Sequence, residues 1–401
     1  MYDLIIRDAT IVTGAGREVA DVAIKDGRIA YVGPRPRRNA KEEISAIGRF
    51  LVPGVIDTAV QFDPDGVGKS WERESLAAVT GGITTVLALP QGKHPVVDSA
   101  SAKARLDRIQ GQSWVNYGLW AAATDGQTND LQQATQKHLV QGTLAYPGRE
   151  DCLGIPTDKV VSYMGNPGVL GVQLERILHQ QHNVELLLQA VRASERPMHL
   201  LHLSTSEELQ YLDPVRGETM LTAGVTPHHL FLSSADEPPP LPHTINTFPP
   251  VRAEHDRRTL WTAVKRGRLD CVASDHYAGN GGGFGVPGSE LLFPLLLSAV
   301  KYGRLNLELL VSLCSESPAQ IFGLERKGRI EKGLDADMVL FSEGEIARVD
   351  EGSLLSSAGW SPYADREVAP KPNIVIVQGK VIARDGQIVG KKPTGKWVGA
   401  Q

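Results

Sequence analysis

The sequence has little cysteine and no excess of charge of either sign, and each absence argues against a class of protein. Its three cysteines, Cys152, Cys271 and Cys314, lie far apart and form no CxxC pair. This spacing argues against a disulfide scaffold or a cysteine-bound zinc and is typical of a reducing compartment. Lysine and arginine number 42 against 46 aspartate and glutamate residues, a net charge of −4. The chain therefore has no general basic field that would hold nucleic acid or an anionic membrane.

Long hydrophobic segments are also missing. The longest apolar stretch, residues 291–300, is interrupted by Pro294 and Ser298 and is far too short to cross a bilayer. The N-terminal segment carries acidic residues early and lacks the apolar region of a signal peptide. We therefore expect a cytoplasmic protein that does not associate with a membrane.

The two ends of the 401-residue chain share a pattern that differs from the middle. Both contain short segments rich in Val, Ile and Ala, and Asp26-Gly27 and Asp385-Gly386 are typical of tight hairpin turns. The predicted strands cover residues 3–7, 10–13, 21–25, 28–32, 337–341, 373–378 and 380–384. We expect one composite β domain, of the sandwich type, built from residues 1–52 and 327–401. Two unrelated β caps are the alternative.

The middle of the chain, residues 53–326, alternates apolar segments with amphipathic ones. The predicted strands are 55–62, 83–89, 115–121, 143–146, 169–174, 198–203, 220–226 and 270–275, and the predicted helices include 102–109, 131–140, 184–194 and 260–266. Eight strand–helix units predict an α/β fold with a closed, TIM-type (β/α)₈ barrel. The alternative is an open doubly wound sheet, but the glycines of 279–283 open no helix and indicate a flexible loop instead.

The carboxyl ends of barrel strands converge on one mouth, where a functional site is expected. Motifs at or near these ends are similar to signatures of dihydroorotases and of the related allantoinases and hydantoinases of the amidohydrolase superfamily. They are Pro53-Gly54-Val55-Ile56-Asp57-Thr58, Gly81-Gly82-Ile83-Thr84-Thr85-Val86, Pro227-His228-His229-Leu230, Pro249-Pro250-Val251-Arg252 and Ser274-Asp275-His276. The resemblance covers nearly the whole chain and implies a barrel inserted between the two halves of the β domain.

The resemblance implies a site in which imidazoles and carboxylates fix one or two divalent cations that generate hydroxide near neutral pH. The six metal positions of the family fall on Ala59, Gln61, Tyr146, Gln173, His202 and Asp275. The methyl group of Ala59 cannot coordinate a metal, and the amide of Gln61 is a poor substitute for imidazole on zinc. Tyr146 stands where the family has a carboxylated lysine, and Gln173 where it has a histidine. Only His202 and the family's general base, Asp275, keep the family residue types.

The positions that contact substrate in the family have changed as well. They fall on Asp63, Gln91, Phe248 and Gly279. Asp63 replaces an arginine that holds the substrate carboxylate, which reverses the charge where an anionic substrate is clamped. The sequence therefore predicts a site that has lost both its metal ligands and its substrate contacts.

The two retained groups have a structural and a functional interpretation. Two protein ligands are too few for a catalytic zinc, which usually has three and a water. We expect His202 and Asp275 to be buried polar side chains bonded to each other or to water, and Asp275 is at most a vestigial catalytic residue. A residual metal site at these two groups is the alternative.

Four further side chains near these motifs are candidates for chemistry. Adjacent histidines on an extended segment point to opposite sides, so at most one of His228 and His229 is expected to face the mouth. Glu74 and its neighbour Glu72 are interpreted as surface charge rather than as paired catalytic carboxylates.

The resemblance implies a dihydroorotase homologue that has lost catalysis, a pseudoenzyme with a hydrolase fold. In some bacteria a metal-free homologue of this kind is a structural partner of aspartate transcarbamoylase in pyrimidine biosynthesis. We expect the same role here, with no cofactor, an oligomeric state and a complex with the transcarbamoylase catalytic chain. One alternative is an active, zinc-dependent hydrolase of cyclic amides with a rebuilt site. Another is a module that binds a small molecule in the old pocket.

Overall fold

The structure is a computed structural model. Its described residues are 1–63, 69–124, 128–147, 153–163, 168–173, 185, 188–189, 191–192, 196–215, 220–234, 245–277 and 285–400. Cys152, Gly279, the glycines of 279–283 and most of the predicted helix 184–194 lie outside these residues.

The two ends of the chain form one sheet. Its nine strands are Tyr2–Thr13, Gly16–Lys25, Arg28–Gly33, Ala40–Ser45, Phe50–Pro53, Met338–Phe341, Ile374–Val377, Lys380–Arg384 and Gln387–Ile388. The halves join where Met338–Phe341 runs antiparallel to Phe50–Pro53. Asp26 and Gly27 both have positive φ, 53° and 78°, in the hairpin that the sequence predicts there. The composite β domain is thus confirmed, whereas its boundaries at residues 52 and 327 stay predictions.

The middle of the chain forms a parallel barrel. Its strands, named here first to eighth, are Val55–Gln61, Ile83–Ala88, Asn116–Ala122, Gly142–Pro147, Val169–Val172, Met198–Leu200, Leu221–Val225, and a segment containing Cys271–Val272 and His276–Tyr277. Cys271–Val272 pairs with the seventh strand, and His276–Tyr277 pairs with the first. The barrel therefore closes through the eighth segment, and the predicted fold class is confirmed.

Helices surround the barrel. They are Lys69–Thr80, Ser99–Ile109, Thr128–Gln136, Thr157–Val160, Ser206–Leu212, Pro227–Phe231, Glu254–Lys265, Leu292–Lys301, Leu307–Val311 and Ser317–Ile321. Outside the barrel order, Gly154–Ile155 pairs with the fourth strand and Ala347–Arg348 pairs with Glu367–Val368. Across the described ranges, no helix has the length and hydrophobicity that a membrane span requires.

A buried ion cluster ties the β domain to the barrel. Lys327 Nζ lies 3.1 Å from Asp335 Oδ2 and 2.7 Å from Asp337 Oδ2, and all three side chains are buried. Asn116, at the start of the third strand, donates a 2.9 Å hydrogen bond to the same Asp337 oxygen. Because each buried charge here has partners, the cluster fixes how the sheet sits on the barrel.

Removing the cation of this cluster should be strongly destabilising. Lys327→Ala removes the cation nearest to both buried aspartates and leaves Asp335 with only Arg326, whose Nε lies 3.6 Å away, so we expect the free energy of unfolding to fall by about 3–5 kcal/mol. The matched control is Arg329→Ala, because the Arg329–Glu331 pair is exposed on both sides and is worth less than about 1 kcal/mol. Urea unfolding of both variants measures the difference, and equal losses would contradict the assignment.

Candidate functional site at the mouth of the barrel

Two of the predicted metal positions are filled by packed side chains. Ala59 and Tyr146 are 2% and 4% exposed and belong to one apolar cluster inside the barrel, together with Trp120 and Leu201. The indole of Trp120 donates a 2.8 Å hydrogen bond to the carbonyl of Thr58, which ties the third strand to the first. Dispersion and a cross-barrel hydrogen bond hold the interior here, and the methyl group of Ala59 offers no donor atom to a cation.

Two further predicted site residues contact each other. Gln173, at the end of the fifth strand, donates from Nε2 to the carbonyl oxygen of Phe248 at 2.8 Å. A third predicted site residue, Gln61 at the end of the first strand, is partly exposed. The amide at position 173 thus holds the chain segment that precedes Pro249, a structural use of a position where the family has a metal ligand.

The predicted substrate positions Asp63 and Gln91 serve local structure. Asp63 is buried and accepts a 3.0 Å hydrogen bond from Ser70 Oγ. The guanidinium of Arg105 donates to the carbonyls of Leu89 and Gln91, each at 2.9 Å, and so fixes the turn after the second strand. Burial lowers the pKa of Arg105 to about 10. The guanidinium of Arg105 is therefore occupied by hydrogen bonds to backbone carbonyls.

The two retained family groups, His202 and Asp275, face each other. His202 Nδ1 lies 3.8 Å from Asp275 Oδ2, and both side chains are buried. This separation is too long for a direct hydrogen bond, which was one of the two arrangements expected, the other being a bond to water. Burial, with smaller effects of His229 and His199, lowers the pKa of His202 to about 3. Burial and the nearby carboxyl of Asp57 raise the pKa of Asp275. Both groups therefore favour their neutral forms.

Both retained residues also have a left-handed backbone. The φ angles are 53° at His202 and 50° at Asp275. For a residue other than glycine this conformation costs on the order of 1–3 kcal/mol and persists only where neighbouring structure imposes it. Strain of this kind clusters at sites where a side chain has to point in one direction.

Relieving this cost at position 275 should stabilise the protein. Asparagine tolerates a left-handed backbone and carries no charge that burial penalises, so Asp275→Asn should raise the free energy of unfolding by about 1 kcal/mol at neutral pH. The control is Asp365→Asn, whose φ of 59° is similar but whose side chain is exposed. Thermal and urea unfolding measure both variants. A higher free energy of unfolding in Asp365→Asn but not in Asp275→Asn would contradict the role given to the burial of Asp275.

The adjacent histidines differ from the prediction. His228 and His229 lie on the short helix Pro227–Phe231, capped by Thr226, and both are buried, with ring centroids 4.4 Å apart. The expectation of an extended segment was wrong, because these residues are helical. His229 contacts Thr226 Oγ1 at 2.8 Å and the carbonyl of Pro249 at 3.2 Å. Within the described residues, the two ring nitrogens of His228 and Nε2 of His202 have no hydrogen-bond partner.

Glu74 was also predicted wrongly, because its side chain is fully buried rather than on the surface. Its carboxylate lies 3.0 Å from the imidazole of His276. A sequence signal existed: Glu74 follows Trp71 by three residues and precedes Ala78 by four, which places it on the apolar face of its helix. A charge on that face needs buried partners.

The donor set does not fit the metal centre of the family. Within the described ranges, no three His, Cys, Asp or Glu side chains are grouped so that they could hold a metal ion. Ala59, Tyr146 and Gln173 are engaged in packing or in backbone hydrogen bonds, and Gly279 lies outside the described residues. What the mouth offers instead is a group of neutral imidazoles beside a strained carboxyl.

Comparisons with known proteins agree with this architecture. A family model described as "Amidohydrolase family" matches residues 50–382. A dihydroorotase from Pyrococcus furiosus is 31% identical over 92% of this chain and 90% of its own length. An allantoinase from Rubrobacter xylanophilus is 27% identical over 100% of this chain and 98% of its own. Among solved structures, an L-hydantoinase from Arthrobacter aurescens superposes with a TM-score of 0.89 at 22% identity, covering 99% of each chain.

Proposed function

The chain belongs to the amidohydrolase family and is dihydroorotase-like, and from this premise we propose that it is a non-catalytic homologue that supports aspartate transcarbamoylase as a structural partner. The observation that carries this proposal is the packing at Ala59 and Tyr146. By the family resemblance, these packed side chains occupy positions predicted for two of the family's metal ligands. A structural partner needs the folded barrel and not the hydrolytic centre. Apolar side chains can therefore fill the space at the mouth without loss of that role.

The loss of hydrolysis is tested by metal content and turnover together. We expect the purified chain to contain no stoichiometric zinc, cobalt or manganese by mass spectrometry. We also expect no conversion between dihydroorotate and N-carbamoylaspartate above the uncatalysed rate, with or without added metal. Stoichiometric metal together with turnover would overturn the non-catalytic proposal.

The partnership is tested separately. The chain is co-expressed with a transcarbamoylase catalytic chain from the same genome and analysed by size-exclusion chromatography with light scattering. We expect a complex of defined mass and a larger assembly than either chain forms alone. Independent elution of the two chains would contradict the partnership while leaving the loss of hydrolysis intact.

A second candidate is an active hydrolase of cyclic amides with a rebuilt site. The observation that favours it is the strained backbone at His202 and Asp275, the two family positions whose residue types are kept. Under this proposal His202 and Asp275 would be needed for turnover. His202→Asn and Asp275→Asn would then abolish activity on hydantoin, allantoin or dihydroorotate, whereas a pseudoenzyme has no activity to lose.

A third candidate is a module that binds a small molecule in the old pocket. The unpartnered nitrogens of His228 and His202 favour it, because buried polar atoms ordinarily have partners. A ligand that binds the folded state raises the melting temperature. A screen of uncharged and anionic metabolites by thermal shift tests this candidate, with His228→Phe as the variant that should lose any response.

A further inference from the structure

A buried pair lies directly behind the mouth, between the helix Lys69–Thr80 and the eighth strand. Glu74 Oε2 is 3.0 Å from Nε2 of His276, and both side chains are at most 1% exposed. His276 Nδ1 accepts hydrogen bonds from the backbone N–H groups of Gly288 and Ser289, each at 3.2 Å. Because Nδ1 is an acceptor, the proton of a neutral imidazole is on Nε2, the ring nitrogen that lies next to Glu74.

The carboxylate of Glu74 is a fixed anchor. It accepts hydrogen bonds from Ser356 Oγ at 2.7 Å and from the backbone N–H of Ser357 at 2.7 Å. Burial alone would raise the pKa of Glu74, but the hydrogen bond from His276 and those from the two serines outweigh it and hold the pKa at about 2. The group is therefore an anion with several donors directed at it.

Ser274, the residue that precedes Asp275, is fixed as well. Ser274 donates to Asp57 from its backbone N–H at 2.9 Å and from its hydroxyl at 2.5 Å. Ser289 donates to the same carboxyl at 3.0 Å. Asp275 thus stands between two anchored neighbours, Ser274 and His276, and its left-handed φ of 50° is imposed by them.

We propose that Glu74 is a positioning residue: acting through His276, it holds Asp275 in the left-handed conformation that sets its carboxyl beside the imidazole of His202. The role concerns the geometry of the mouth. It goes beyond the proposed function and requires neither turnover nor a partner protein.

The readout is the ring C–H signal of His202 in a ¹³C-histidine-labelled chain at neutral pH, assigned with His202→Asn. Glu74→Ala removes the anchor, so Asp275 should leave its position and the His202 signal should shift. Glu74→Gln keeps an acceptor for His276 and should restore the signal close to its position in the unchanged chain. A purely structural role would lower stability in both variants without this pattern at His202.

Glu290 supplies the matched control. It is a second buried carboxylate that contacts the segment around Ser356. It accepts hydrogen bonds from the backbone N–H groups of Leu355 at 2.9 Å and Ser356 at 3.2 Å. Within the described residues, Glu290 bonds to Leu355, Ser356 and Lys371 and not to His276. Glu290→Gln perturbs the segment around Ser356 while the pair of Glu74 and His276 is kept, so we expect an unchanged His202 signal.

The outcomes separate cleanly. An unshifted His202 signal in Glu74→Ala, or an equal shift in Glu290→Gln, overturns the proposal. If Glu74→Ala does not fold, His276→Gln tests the same link from the other partner. A crystal structure of that variant shows directly whether Asp275 has left the left-handed region, and a retained φ near 50° overturns the proposal. Metal content, turnover and complex formation are not used, so this test fails or succeeds independently of the proposed function.

Discussion

Tyr146→Lys should destabilise the protein by about 3–5 kcal/mol and should bring no metal with it. The substitution introduces lysine at the position that the family resemblance assigns to the carboxylated, bridging lysine. In this chain, however, position 146 is 4% exposed and packs in the apolar cluster with Trp120 and Leu201. An ammonium group placed there loses its hydration without gaining a counter-ion, which is the costly case for a buried charge. Urea unfolding measures the loss, and mass spectrometry measures the metal content.

The control separates charge from shape. Tyr146→Phe removes only the hydroxyl and keeps the ring, so its cost should stay below about 1.5 kcal/mol. Adding Ala59→His and Gln61→His to Tyr146→Lys should worsen stability further, because imidazole is larger than the methyl group packed at position 59. A triple variant that is as stable as the unchanged chain and binds zinc would mean that the interior still accommodates the family's metal centre.

Much of the barrel could be predicted because its strands are buried on both faces and read as apolar segments. The predicted first strand, 55–62, matches Val55–Gln61, and the predicted third, 115–121, matches Asn116–Ala122. The prediction of the eighth strand was less accurate. Its predicted span, 270–275, is interrupted in the structure because the backbone turns left-handed at Asp275, and pairing resumes only at His276–Tyr277. Hydrophobic pattern cannot reveal such a turn.

The candidate site was harder to predict, because its side chains are held by partners distant in sequence. Glu74 looked like a surface charge since its partners, His276 and Ser356, come more than 200 residues later. His228 looked extended because the preceding threonine was not recognised as a helix cap. The assignment of Ala59 and Tyr146 came from the family resemblance and stays a prediction. Their burial in an apolar cluster supplies the physical reason why such residues suit that place.

Acidification below about pH 6.5 should destabilise the fold, before carboxyl groups of ordinary pKa are protonated. Burial lowers the pKa of four histidines from 6.5. The pKa falls to about 3 at His199 and His202, to about 4 at His229, and well below its usual value at His228. These groups stay neutral in the folded chain but bind protons at about pH 6.5 once it unfolds. Their stabilising contribution is therefore complete above pH 6.5 and is lost as the pH falls toward 4, by on the order of 1.4 kcal/mol per unit for each titrating histidine.

Buried carboxyl groups oppose this trend in part. Burial raises the pKa of Asp57, Asp275 and Glu208, so these groups bind protons in the folded chain where an unfolded one has lost them. Four histidines act against three carboxyl groups, and we expect a net uptake of protons on unfolding at about pH 5. Calorimetric unfolding in two buffers of different ionisation enthalpy measures that uptake directly.

Two variants test whether buried imidazoles cause the effect. His199 sits between Thr222 and Cys271 inside the barrel, and His199→Gln should lower the proton uptake by one. The side chain of His255 is 72% exposed, so His255→Gln is the control that removes an imidazole which folding does not bury. Equal uptake in the unchanged chain and in His199→Gln would mean that this imidazole is already solvated in the folded state. The group of buried histidines at and below the mouth would then be open to water.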